Sequence, residues 1–315
     1  MLKVSIGAKI KSGPWGGGNL FVINLASYLE NLGHEVIFNL DDPSIDIILL
    51  TDPRKKSESS SFNHKDIKKY LKNINPNARV VHRINECDER KNTKGLNKFY
   101  IKANKIADHT IFVSTWLKNL YFNSGFVSNE YSVIMSGSDK KIFFPKVSIN
   151  NNEKFKIVTH HWGGNWNKGF EIYKKLDELL EQSEWKNKIS FTYIGNLPKK
   201  FNFKNTEHIK PLSGMKLGNE LRKYDIYLTG SLNEPSGNHH IEGAQCGLPL
   251  LYIESGALPE YCDGYGLSFN NQDFEEKLKA MIENFDLYLN KIKEYPNDSN
   301  KMCKEYLNVF EKVAN

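Results

Sequence analysis

VSIGAKIKSGPWGGGNLFVINLASYLENLGHEVIF, residues 4–38, begins with an apolar β-branched run at Val4–Ile6 and ends with another at Val36–Phe38. Between them Phe21, Leu25, Tyr28, Leu29 and Leu32 recur at i, i+4, i+7, i+8 and i+11, the spacing that gathers side chains on one helix face. Gly33 follows at once and suits the left-handed residue that closes a helix. Strand, glycine-rich loop, helix, glycine and strand make a βαβ unit, and such units build a doubly wound parallel sheet.

Outward from this unit the alternation continues. Asp46–Leu50, Arg79–Ile84 and Thr110–Val113 read as further buried parallel strands. Val147–Phe155, rich in Asn, reads as a linker, and a second alternation follows it. There Lys156–Thr159, Ser190–Ile194, Asp225–Thr229 and Leu248–Ile253 are predicted strands, with helices at Gly169–Glu181, Met215–Lys223, Asn238–Cys246 and Asp273–Leu289. Asn297–Val313 is amphipathic, with Met302, Tyr306, Leu307, Phe310 and Val313 on one side. Ser57–Asn63 reads as a mobile loop, and no fixed-period repeat is found. The expected architecture is α/β, two Rossmann-like domains facing across a cleft at the carboxyl ends of both sheets, where ligands of such folds bind.

Composition narrows the classes. The 315 residues are 39% hydrophobic and 25% charged, which suits a globular chain and excludes wholesale disorder. No run approaches the ~18 apolar residues of a membrane span. The opening MLKVSIGAKI has no signal-peptide core, so a cytoplasmic location is expected, with at most peripheral membrane association. Cys87, Cys246, Cys262 and Cys303 show no CxxC spacing and read as reduced thiols rather than zinc ligands. The net charge of +6 is diffuse. It favours phosphate-bearing ligands, nucleic acid or an anionic membrane alike, but no clustered basic or aromatic face stands out, so nucleic acid is not an expected partner. Asp41-Asp42 precedes Pro43 and reads as a turn; no metal site and no cofactor are expected.

The densest chemistry lies in SLNEPSGNHHIEGAQCGLPLLYIESGALPE, Ser231–Glu260. It follows a predicted strand, so Glu234 sits on a strand-to-helix loop, Pro235-Ser236-Gly237 makes the turn, and Asn238 is the expected N-cap. Free amides at this helix start, with the helix dipole, would suit a diphosphate. Glu242, one turn deeper, could accept hydrogen bonds from ribose hydroxyls, and Glu234 could face a sugar. Equally, acidic residues near a helix start complement its dipole, and Pro-Ser-Gly is an ordinary turn. In THHWGGNWNKGFEIYKKLDELL, Thr159–Leu180, a strand runs into a glycine-rich loop and Lys168-Gly169 opens an amphipathic helix; Lys168 alone would also read as a solvated first-turn lysine. His160 and His161 are adjacent on a strand end and point apart, which disfavours a shared metal. Gly16, Gly17 and Gly18 would allow close backbone approach to a ligand, or simply a flexible connection. HRINECDERK, His82–Lys91, follows the fourth strand and could equally be a surface charge network.

These blocks together resemble the retaining GT-B glycosyltransferases of the GT4-like family (glycosyl transferases group 1). The family's E-x7-E signature is matched at Glu234, Gly237, Glu242, Ala244, Gly247, Pro249, Gly256, Pro259 and Glu260, with Gly243 where Ala is usual. Gly137, Asp139, Phe143 and Pro145 match its domain-junction motif, with Met135 and Ser136 in place of Pro and Asn. The resemblance implies a GT-B enzyme that moves a sugar from a nucleotide diphosphate sugar to a carbohydrate or lipid-linked acceptor, with retained configuration, in cell-surface glycan or glycolipid synthesis. By similarity Glu234 contacts the transferred sugar and Glu242 the ribose. Lys168 balances charge on the leaving diphosphate, and Gly256 and Ala257 lie near the sugar or diphosphate. Gly17 and Gly18 belong to the loop that faces the donor phosphate. The family's usual Arg upstream of Lys168 is missing, and His160, His161 or Asn165 would have to substitute. Asn85-Glu86 stands at the family's His-Asp position; Asn85 can hydrogen-bond a sugar hydroxyl but cannot exchange a proton near neutral pH. The implied domains are 1–146 for the acceptor, 147–290 for the nucleotide sugar, and 291–315 as a helix packing back on the first. A GT-B sugar-nucleotide epimerase and a catalytically weak nucleotide-sugar-binding subunit are the competing readings.

Overall fold

The protein is described by a computed structural model that covers all residues except Pro14, Lys55, Lys56, Asn129 and 147–153. The linker expected at Val147–Phe155 lies, but for its last two residues, outside the described ones. The chain divides into two compact units, Met1–Gly137 with Ser299–Asn315, and Ser138–Asp298.

In the first unit β1 (Lys3–Ile6) leads to α1 (Gly16–Asn31), β2 (Glu35–Ile37), β3 (Ile47–Leu50), α2 (His64–Asn73) and β4 (Arg79–Ile84). Next come α3 (Asp88–Lys91), α4 (Leu96–Ala103), β5 (His109–Phe112), α5 (Thr115–Asn123) and β6 (Tyr131–Val133). The strands form one parallel sheet in the order β2-β1-β3-β4-β5-β6. A parallel sheet is covered on both faces, which is why β3, IILL, is buried along its whole length. Gly33 takes the left-handed conformation that the sequence suggested, at φ 83°. Ser57–Asn63, expected to be mobile, is instead anchored: Ser60 Oγ donates to the Phe62 carbonyl at 2.6 Å, Phe62 is buried, and Asn63 makes a capping box with Asp66 at the start of α2.

The second unit opens with β7 (Phe155–His161), α6 (Phe170–Leu179), α7 (Ser183–Lys188), β8 (Ile189–Gly195), β9 (Glu207–Ile209) and α8 (Gly214–Leu221). It continues through β10 (Ile226–Thr229), α9 (Asn238–Gln245), β11 (Leu250–Ile253), α10 (Leu258–Cys262), β12 (Gly266–Phe269), α11 (Phe274–Glu283) and α12 (Phe285–Lys291). Its parallel sheet runs β12-β11-β10-β7-β8-β9, the Rossmann strand order. The chain therefore winds outward from β7 in one direction and from β10 in the other. The edge strands β9 and β12 are short and interrupted by charge or glycine, so they carry no apolar run to read. The single helix expected at Asp273–Leu289 is broken at Asn284, whose side chain donates to the Ala280 carbonyl at 2.9 Å and competes with the helical ladder.

The last helix, α13 (Ser299–Ala314), belongs to the first unit. Its Met302, Tyr306 and Phe310 enter one core with Phe21, Leu25 and Leu29 of α1 and with Val4, Leu49 and Val81 of the sheet. Because Phe310 is fully buried there, Phe310→Ala is expected to destabilise the protein by about 3–5 kcal/mol in chemical denaturation. A loss below about 1 kcal/mol would mean that α13 is not part of this core.

Candidate functional site

The reversal of winding in the second sheet occurs between β7 and β10, which pair with each other. Loops leaving two strands at such a point diverge, and the space at their carboxyl ends is where doubly wound folds bind ligands. The side chains found there are polar and almost wholly buried. Lys168, on the loop after β7, places Nζ 2.5 Å from Oε2 of Glu234, on the loop after β10, and the two residues are 8% and 3% exposed. Ser231 Oγ donates to the same carboxylate oxygen at 2.9 Å. The backbone locks these loops together. Leu232 N–H donates to the Asn167 carbonyl at 2.8 Å, and Ala257 N–H donates to the Glu234 carbonyl at 2.9 Å. Gly256 makes this last contact feasible: at φ 62° a Cβ would lie 2.5 Å from the Glu234 nitrogen.

The alternation of β7 sends its last two side chains to opposite partners. His160 points toward α9, where its Nε2 lies 2.8 Å from Glu242 Oε2, while its Nδ1 lies 3.0 Å from the Tyr227 hydroxyl. A phenol hydrogen directed at Nδ1 leaves Nε2–H to donate to the carboxylate, so the imidazole bridges Tyr227 and Glu242. Glu242 is 3% exposed, and this bond aligns it. Gly243, which stands where Ala is usual, is a steric necessity here: a Cβ would come within 2.2 Å of the Tyr227 ring. His161 points toward α6 and lies 2.7 Å from the Tyr173 hydroxyl, which also receives the Gly230 amide at 3.2 Å. His239, in the first turn of α9, lies 2.9 Å from Thr229 Oγ1 and against the His161 ring.

Burial dominates the titration of this cluster. It pushes the His240 imidazole down to about 3 and holds His161 and His239 far below the usual histidine range, where the Lys168 charge adds repulsion to both. In the first unit His82 is pushed down to about 4 by burial. The Tyr173 and Tyr227 phenols are raised by the same loss of solvent. Near neutral pH these imidazoles are therefore neutral hydrogen-bonding groups.

The expected site residues fall into three groups. Glu234, Lys168, Glu242, Gly237, Asn238, Gly256, Ala257 and His161 all lie around the carboxyl ends of β7, β10 and β11. Asn165 is on the same loop as Lys168 but exposed, and its carbonyl accepts the Lys168 amide at 3.0 Å. Asn85, Gly17 and Gly18 belong to the first unit, Asn85 half-buried just after β4 and the two glycines in the first turn of α1. Two expectations are corrected. Asn238 is not the N-cap: Gly237 occupies that position at φ 75°, where a Cβ would meet Glu234 Cγ and His239 Cε1 at 2.8 Å, and Asn238 is already helical. Gly17 and Gly18, expected in the loop before α1, are instead part of its first turn. Sequence reasoning missed Tyr227 and Tyr173, which sit in apolar strand and helix patterns, and Ser231, which opens the Glu234 loop but was given no role there. The only available signal was the departure from Ala at Gly243. Among the described residues no three His, Cys, Asp or Glu side chains converge as metal ligands, and no helix is long and apolar enough to cross a membrane.

No family model and no curated protein matches this chain in sequence. Solved structures do match it in fold. A glycosyltransferase from Rickettsia africae superposes with a TM-score of 0.70 at 15% identity, over 99% of this chain and 97% of the other. HepE from Anabaena, in complex with UDP and glucose, gives 0.69 at 11% identity over 99% and 100%. An α-glucosyltransferase in complex with UDP and DNA gives 0.66 at 14% identity over 98% and 99%. The chain has the GT-B fold.

Two outcomes follow from this geometry. Gly243→Ala, which favours the helix by propensity, is nonetheless expected to cost about 1–3 kcal/mol through the Tyr227 clash. Tyr227→Leu in the same chain should recover most of that loss, and a double-mutant cycle with no coupling would refute the contact. The four neutral histidines bind protons in the unfolded chain near pH 6.5 but not in the fold, so stability is full above about 6.5 and falls as the pH drops toward 4. Each contributes a slope of about 1.4 kcal/mol per pH unit in that window. Urea unfolding between pH 7.5 and 4.5 should show it, with a shallower slope in His240→Leu.

Proposed function

We propose that the protein is a retaining glycosyltransferase of the GT4 type that takes a nucleotide diphosphate sugar as donor. The observation that carries this reading is the buried Lys168–Glu234 pair at the strand reversal of a GT-B fold, directly before the helix start at Gly237. A lysine here neutralises charge that grows on a departing diphosphate, and a water-poor setting strengthens that effect. Amides at the start of α9 receive phosphate oxygens, Glu234 takes sugar hydroxyls, and Glu242, held by His160, takes the ribose. UDP-sugars are the first donors to test, since two of the structures similar in fold were solved with UDP.

The same arrangement favours retention. Glu234 is tied to Lys168 and Ser231, and Glu242 to His160. Neither acid stands ready as a separate base, so the leaving phosphate is the group that receives the acceptor proton, on the face it departs from. The N-terminal unit, with Asn85 after β4, carries acceptor recognition, and the acceptor is a carbohydrate or a lipid-linked glycan of the cell surface. An α-glucosyltransferase of this fold was solved with DNA, so DNA is the second acceptor to assay beside the glycans.

Donor turnover tests the reading. With the best nucleotide sugar from a thermal-shift panel, the wild type should release nucleoside diphosphate slowly without acceptor. Glu234→Gln and Lys168→Met should each lower that rate about 100-fold or more, while Glu234→Gln still binds the free nucleotide. Full turnover in both variants would sink the proposal.

A further inference from the structure

Arg83 is the penultimate residue of β4, in register with Ile111 of β5, at the carboxyl end of the first sheet. Val81, two residues earlier on the same strand face, lies in the core covered by α1 and α13, so Arg83 enters that same layer. Its guanidinium stands over the Phe21 ring, 4.0 Å from the centroid, beside the Tyr306 phenol of α13. The residue is only 4% exposed. Arg54, Arg79 and Arg90 pair with carboxylates, and Arg222 donates to the Ile142 carbonyl. Arg83 differs from them: among the described residues no carboxylate pairs with it and its Nε is buried without a hydrogen-bond partner, the Tyr306 phenol oxygen being the polar group within reach of the guanidinium. A guanidinium cannot shed its charge, and a buried charge with no counter-ion is a heavy penalty for a fold to retain. Among the described residues no anionic acceptor answers this guanidinium.

The start of α1 adds to the case. This 16-residue helix has no acidic residue in its first turn, and Gly18, one turn before Phe21, has open space where a Cβ would stand. Its amides and positive dipole end lie at the same carboxyl edge of the sheet.

We propose that Arg83, the Tyr306 hydroxyl and the opening turn of α1 bind an oxyanion, and that this oxyanion is the phosphate or carboxylate group of the acceptor. The assignment to the acceptor rests on the transferase reading above; the oxyanion site itself does not. Arg83 supplies paired N–H donors that match such a group in plane and in charge.

The test is thermal unfolding of the full chain at constant ionic strength, titrated separately with inorganic phosphate, sodium acetate and UDP. The wild type and Lys168→Met should be stabilised saturably by phosphate or acetate, the stronger of the two identifying the group. Arg83→Met, which keeps the stack on Phe21, should bind that anion at least tenfold more weakly yet unfold, without ligand, no lower than the wild type, because it removes an unpaired buried charge. If Arg83→Met does not fold, Arg83→Gln serves the same comparison. Stabilisation by UDP should survive in Arg83→Met and disappear in Lys168→Met. Absence of saturable stabilisation by either small anion, or equal stabilisation of wild type and Arg83→Met, overturns the site. Loss of UDP binding in Arg83→Met overturns the acceptor assignment. If UDP binding is indifferent to Lys168 while the phosphate result stands, the donor reading fails and the oxyanion site survives.

Discussion

A lysine ammonium and a glutamate carboxylate, 2.5 Å apart and nearly out of solvent, impose the strongest constraint on the second unit. Either charge alone at that depth would cost about 3–5 kcal/mol, so neither loop can move without the other. The surrounding backbone follows from this. Asn167 and Leu232 tie the two loops, Gly256 lets the third loop reach the Glu234 backbone, and Gly237 turns the chain into α9 beside the same carboxylate. Ser231 adds a second hydrogen bond to the same carboxylate oxygen, so the glutamate keeps a donor besides the lysine.

The second carboxylate is held by a different device. Tyr227 occupies the volume where most helices would carry a methyl group at position 243, and from there its hydroxyl fixes His160, which fixes Glu242. Steric fit and hydrogen bonding are thus one mechanism: the glycine admits the ring, and the ring sets the imidazole. Burial keeps the neighbouring imidazoles His161, His239 and His240 neutral, so they add directed donors and acceptors without adding charge to a region that already holds a lysine.

The two units treat buried cations in opposite ways. In the second, Lys168 is satisfied within the chain. In the first, Arg83 meets an aromatic face and a phenol, and among the described residues no carboxylate. That asymmetry is what points outward, to a group brought by a ligand.

Much was legible in the amino-acid order because it depends on near neighbours. The helix spacing from Phe21 to Leu32, the left-handed Gly33, the buried runs that became β3, β7 and β10, and the loop positions of Glu234 and Lys168 are all local. Short edge strands with charge or glycine, such as β9 and β12, and the break at Asn284 escaped it, since no periodic pattern marks them. What only the folded chain decided are the meetings of residues far apart in sequence: Lys168 with Glu234, His160 with Glu242, Tyr227 against Gly243, and Arg83 over the Phe21 ring. Pattern along a strand or helix says which face a side chain takes; which charge or ring it finds there is set by strand order and loop closure, and these are long-range.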